Sequence, residues 1–256
     1  MTNYGEHNLS RWFSVMISMS RKKYYIVILL LLLSIMIFGY HEAFADPNGG
    51  TFDVPHIEDE FTKFIVYDRD KAIQYAKKWS DPDNQGKFNP DFERMDSHGS
   101  NRGGDCANFV SQLLHAGGLP MNDEWYYKKG SFIRKIPILN RVVDYFSPKW
   151  AVADDQYRYF SNKKNGFSEE TIEISTMEDL IQAEKSGGIK PGDLLYWDFE
   201  GDGKIDHATM ITGVNQQGHL LYSGHTYDQF NAEVGANIAP NYKLHIVKMK
   251  DQIEVK

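Results

Sequence analysis

Cysteine is nearly absent: Cys106 is the sole thiol in 256 residues. One thiol can form neither an intrachain disulfide nor a multi-cysteine zinc site. Positive charge is also in deficit, with 28 Lys and Arg against 35 Asp and Glu and a formal net charge of −7. Phosphate neutralisation needs a basic face, so this balance argues against a nucleic-acid partner. What the chain does have is apolar material, 41% of its residues, which suffices for a buried core and excludes wholesale disorder.

The one long apolar run lies near the N-terminus. Arg21, Lys22 and Lys23 precede YYIVILLLLLSIMIFGY (Tyr24 to Tyr40), and Ala43-Phe44-Ala45 follows before Asp46. A basic flank, an apolar stretch and a small-x-small site describe a secretory signal peptide cut after Ala45. The rival is an uncleaved membrane anchor, although 17 residues at ~1.5 Å each fall slightly short of a ~30 Å hydrocarbon core. Either reading leaves the basic side in the cytoplasm and exports everything after Asp46. The expected organisation is therefore residues 1–45 as targeting segment, 46–66 as linker and 67–250 as the domain. Loss of residues 1–45 removes four positive and two negative charges and leaves a formal −9.

Helical signals come first in the domain. DRDKAIQYAKKWS (Asp68 to Ser80) carries apolar residues at helical spacing behind an Asp cap. An Asp-, Asn-, Gly- and Pro-rich loop then leads to CANFVSQLLHAGGLP, a helix that Cys106 opens and Gly117-Gly118 and Pro120 end. The aromatic-rich stretch Trp125 to Phe167 suggests helical pieces at Asn140 to Phe146 and Asp155 to Phe160, and Met177 to Ser186 reads as another short helix. Strand patterns follow in LLYWDF, in HATMITGV and HLLYSGHT around an Asn-Gln-Gln-Gly turn, and in Lys243 to Met249. Helices followed by a meander give an α+β class with an antiparallel sheet.

A thiol on the first turn of a helix meets unsatisfied amides and the positive end of the dipole, which favour a thiolate. That suits a nucleophile, whereas a small buried apolar residue is the ordinary role of a free cysteine. A nucleophilic thiol needs a base and a group that orients the base. His207 opens a strand directly after an acidic turn and is the candidate base. With Gly213 opposite His219 across the turn, His225 falls opposite His207, making His225 the orienting candidate and Asp228 the fallback.

Gly103 to Gln112 (GGDCANFVSQ), Ala116-Gly117-Gly118, Trp125-Tyr126, Pro191-Gly192-Asp193, Asp206-His207 and His225-Thr226 together resemble the putative amidase domain of exported bacterial proteins. That family is similar to the NlpC-like and CHAP-like cysteine amidohydrolases. The resemblance covers roughly Tyr67 to Met249. It implies a papain-like fold with N-terminal helices packed on an antiparallel sheet, a Cys106 nucleophile, a His207 base and a third polar residue at His225. Through the family's cell-wall-acting relatives it also implies a peptide or peptidoglycan substrate, cut through an acyl thioester. The Cys106 amide would be one oxyanion donor; Asn101 and Ser100 are candidates for the second by position. No cofactor is required by this chemistry.

Asp198, Glu200, Asp202 and Asp206 occupy positions 1, 3, 5 and 9 of a glycine-containing loop, as calcium ligands would. Position 12 is Thr209 rather than Glu, and an Asp-Gly turn explains the same pattern. Two other functions share these residues. One is a non-catalytic cell-wall binding module, gripping its ligand through Trp125, Tyr126, Tyr127 and Trp150. The other uses Cys106, His207 and His225 as three zinc ligands. The expected location is secreted or cell-wall associated, touching membrane only through the N-terminal segment; oligomeric state is not legible.

Overall fold

A computed structural model describes residues 63–82, 88–95, 104–136 and 139–255, of which 63, 131–136, 139–143 and 255 are described by their backbone alone. Residues 1–45, expected to be a targeting segment, and most of the expected linker lie outside the described residues. Every element below belongs to one unit, Phe61–Lys256. Among the described residues no helix is long and apolar enough to cross a membrane.

The first helix, α1 (Arg69–Ser80), starts where Asp68 accepts the Lys71 backbone N–H, satisfying one amide that a helix end leaves free. Helix α2 (Cys106–Ala116) turns Phe109, Val110, Leu113 and Leu114 inward, all fully buried. Each such side chain contributes about 1.5–3 kcal/mol by leaving water, and this makes α2 the centre of the core. Short helices α3 (Pro148–Ala151) and α4 (Ala153–Ser161) pack beside it, and α5 (Met177–Ser186) is closed at its start by a reciprocal Thr176–Asp179 capping box.

Two short strands, β1 (Lys63–Val66) and β10 (Gln252–Val255), pair only with each other. They extend the folded unit beyond the expected limits of 67 and 250: Lys63 to Val66, read as linker, becomes ordered because its partner lies almost 190 residues away. Strands β2 (Tyr127–Ile136) and β3 (Leu139–Phe146) form a hairpin. The helix expected at Asn140 to Phe146 is thus a strand; pairing with β2 overrides a local pattern that had no strong alternation.

The main sheet is antiparallel, with β4 (Ser168–Ile174), β5 (Leu194–Asp198), β6 (His207–Val214), β7 (Leu220–Gly224), β8 (Gln229–Glu233) and β9 (Lys243–Met249) in the order β4-β9-β5-β6-β7-β8. Side-chain alternation divides the core in two. Leu194, Tyr196, Ala208, Met210 and Val247 join the helices α1 to α4, while Leu195, Trp197, Ile211, Leu244 and Ile246 meet Leu180 and Ala183 of α5. Helices lie on an antiparallel sheet, an α+β arrangement.

The Pro191-Gly192-Asp193 motif fastens α1 to this sheet. Arg69 donates to Asp193 at 2.8 Å, to the Pro191 carbonyl at 2.9 Å and to the Met249 carbonyl at 2.5 Å. Asp193 in turn accepts the N–H groups of Lys190 and Met249. Gly192 sits at φ +93°, where a Cβ would come within 2.9 Å of the Arg69 side chain, so both its handedness and its closeness require glycine.

Candidate active site

Cys106 occupies the first residue of α2 and is buried. The backbone amide of Ala208, on β6 directly after His207, is among the groups that act on its sulfur. Burial pushes the thiol up from its ordinary pKa. The amides of Ala208, Ala107 and Cys106 itself work against that rise, whereas the charge of Asp105 adds to it. The helix N-terminus therefore does not produce the lowered thiol expected from position alone: removal from water outweighs its amides.

His207 opens β6, its ring stacked on Phe199 with centroids 6.0 Å apart. Burial pushes its imidazole down to about 4. The resting pair is consequently a neutral thiol and a neutral imidazole. No hydrogen bond joins the two among the described residues. Trp197 pairs with His207 and Tyr196 with Ala208, so His207 is one residue out of phase with the strand position that meets the thiol.

His225 does not stand opposite His207. The hairpin closes with Asn215 opposite His219 around a three-residue turn ending at Gly218, φ +92°. Relative to the expected register this shifts the pairing by two, and a bulge between Ile211 and Gly213 restores one. The pairing Met210↔Ser223, continued along both chains, brings Ala208 to His225. The buried His225 ring instead stacks on Phe109, centroids 3.6 Å apart. Its Nδ1 lies 2.5 Å from Asp105 Oδ2 and its Nε2 2.9 Å from the Trp79 carbonyl. Asp228, the fallback orienting residue, forms a two-point ion pair with Arg94, both contacts at 2.8 Å.

Asp105, passed over in the sequence, joins the segments around Cys106. Its Oδ1 accepts from Met95 N at 2.9 Å and Asn108 Nδ2 at 2.8 Å, and its own N–H donates to Thr226 Oγ1 at 3.0 Å. A Cβ on Gly104 would come within 2.4 Å of that same Thr226 oxygen, which explains the glycine before the acid. Thr226 holds a left-handed φ of 82°, strained for a β-branched residue. The available signal was adjacency, an acid directly before a helix-opening thiol. Its partner at His225 lies 120 residues away and left no local trace.

Behind the thiol, the buried Tyr196 hydroxyl lies 3.3 Å from Gln156 Oε1, and Gln156 Nε2 donates to Ala107 O and Ser111 Oγ. This network pins the first turns of α2 against α4 and the sheet. Asn101 and Ser100 lie outside the described residues. The acidic loop spends its carboxylates on its own backbone: Asp198 accepts from Gly201, Asp202 and Gly203, Asp202 from Lys204, and Asp206 from Phe199. Burial opposes the Asp198 carboxylate, but these amides prevail and hold it below the ordinary range. Among the described residues no three His, Cys, Asp or Glu side chains are gathered as metal ligands. That includes Cys106, His207 and His225, and also Asp198, Glu200, Asp202 and Asp206. A cavity of about 640 Å³, lined by Leu119, Met121, Tyr159 and Phe167, opens beyond the far end of α2 and does not reach Cys106.

A thiol at a helix start, a histidine opening the neighbouring strand and the Pro-Gly-Asp clamp fit one family. The sequence model of the putative amidase domain matches residues 66–247, and the chain belongs to that family, whose description points to hydrolysis of amide bonds. A relative, the uncharacterized protein YhbB of Bacillus subtilis (strain 168), is 30% identical over 200 residues, covering 74% of this chain. This chain spans about half the length of that curated relative. No solved structure matches.

Proposed function

We propose that the chain is an exported cysteine amidase of papain-like fold that hydrolyses an amide bond in bacterial cell-wall peptide or peptidoglycan. The observation that carries the reading is the seat of Cys106, on the first turn of α2, where the amide of Ala208, the residue after His207, acts on its sulfur. Family membership supplies the amide bond.

From a neutral pair the chemistry runs as general base catalysis. His207 swings toward the thiol and takes its proton as sulfur attacks the carbonyl carbon; catalytic hydrogen bonds commonly close only around substrate. The backbone N–H of Cys106 is a donor for the developing oxyanion. Collapse of the tetrahedral intermediate breaks the C–N bond, and His207 passes its proton to the departing amine. Water then attacks the thioester, giving up a proton to His207. The acid leaves and sulfur regains its proton.

Mass spectrometry of the intact protein during turnover of cell-wall peptide tests this. An acyl adduct on Cys106, absent from Cys106→Ala along with activity, is the expected result. Full activity in Cys106→Ala would overturn the proposal.

A further inference from the structure

Among the described residues, His225 is the one buried histidine whose two ring nitrogens both face oxygen acceptors within hydrogen-bond distance, Asp105 Oδ2 on one side and the Trp79 carbonyl on the other. A carbonyl only accepts, so Nε2 carries a proton. Asp105 Oδ1 already receives two N–H donors, and Oδ2 faces Nδ1. A ring with a single proton would turn a lone pair on one of these oxygens. The arrangement is satisfied when the ring donates from both nitrogens, as an imidazolium against a carboxylate.

That carboxylate belongs to the residue directly before the nucleophile. We propose that His225 is a positioning residue for Cys106 that acts through Asp105: it cancels the negative charge adjoining the thiol and ties the start of α2 to the end of α1. This differs from orienting His207, with which His225 shares no contact among the described residues. The proposal bears on turnover only through the reading of Cys106 as nucleophile, but its effect on the thiol exists whether or not an amide is cut.

Other groups act on the same sulfur and stay constant in the comparison. They are the Ala208 amide from β6, the Ala107 and Cys106 amides of α2 and the Tyr196 hydroxyl from β5. Only the Asp105–His225 pair changes. Removing the cation leaves a bare negative charge beside the thiol and makes the thiolate harder to form. Removing the anion does the reverse. Loss of structural support alone would move both variants in one direction.

Cys106 is the only thiol, so its alkylation by iodoacetamide across pH reads this site without ambiguity. The variants are His225→Gln, Asp105→Asn and the double replacement, each with its fold checked by circular dichroism. The expected midpoint of alkylation moves to higher pH in His225→Gln and to lower pH in Asp105→Asn, and the double variant follows Asp105→Asn. At a fixed pH below the wild-type midpoint this is a several-fold loss and a several-fold gain in rate. Shifts in one direction for both single variants, or no shift in either, would overturn the proposal. Should His225→Gln fail to fold, Asp105→Asn decides by itself: an unchanged or raised midpoint is fatal to the idea. Amidase activity is not read in this experiment, so a failed substrate assignment cannot be mistaken for a failed pair.

Discussion

Replacing His207 by Gln should change how stability depends on pH, and the size follows from its burial. The ring falls from 6.5 to about 4 on folding because burial excludes its charged form. Between those values the unfolded chain binds a proton here and the folded chain does not. Stability is therefore complete above pH 6.5, declines as pH falls through the window and loses nothing further from this ring below 4. A displacement of that size corresponds to about 3 kcal/mol, a large part of the stability of an ordinary domain. Other histidines shift on folding too: burial lowers His245 against the charges of Glu173 and Asp198, and a hydrogen bond to Glu184 raises His219. The useful quantity is thus the difference between wild type and His207→Gln, in which contributions common to both cancel where sites are independent. Urea denaturation at close pH intervals from 4 to 8 measures it. The wild-type advantage should shrink by about 3 kcal/mol from pH 7 to 4. A difference that stays level across the window would refute the claim that the fold holds His207 neutral.

Arg69→Ala leaves the buried Asp193 carboxylate without its cation and should cost about 3 kcal/mol or more in chemical denaturation, with part recovered in Arg69→Ala/Asp193→Ala. Ser111→Ala removes the acceptor of Trp125 Nε1 and one partner of Gln156, all buried, and should lower stability by roughly 2 kcal/mol in the same assay. A rate profile of kcat/KM against pH should show its acid limb near 4, where the His207 imidazole becomes available as a base, rather than near 6.5.

The sequence made visible whatever is specified locally. Asp68 before an amphipathic stretch, Cys106 ahead of Phe109, Val110, Leu113 and Leu114, and the Thr176 start of α5 are each decided within one or two helical turns. The β-branched and aromatic runs at Leu194 and His207 likewise mark β5 and β6. Long-range pairing stayed hidden. Nothing near Lys63 announces a partner at Val255, and nothing near Asn140 reveals that β2 will turn it into a strand. Register was lost for a related reason: the turn closes at Asn215 and His219, two places from the expected pairing, and the bulge between Ile211 and Gly213 restores only one, so His225 misses His207. The ionisation of Cys106 was misjudged because helix position is local, whereas the burial that outweighs it is built by the whole core.

The central claim is that Cys106 performs the cleavage of a cell-wall amide. Digestion of purified peptidoglycan by the wild-type chain and by Cys106→Ala, with released fragments identified by mass, tests it most directly. Fragments ending at a newly hydrolysed amide bond with the wild type, and none with Cys106→Ala, are the predicted result. Equal release by the two proteins would contradict it.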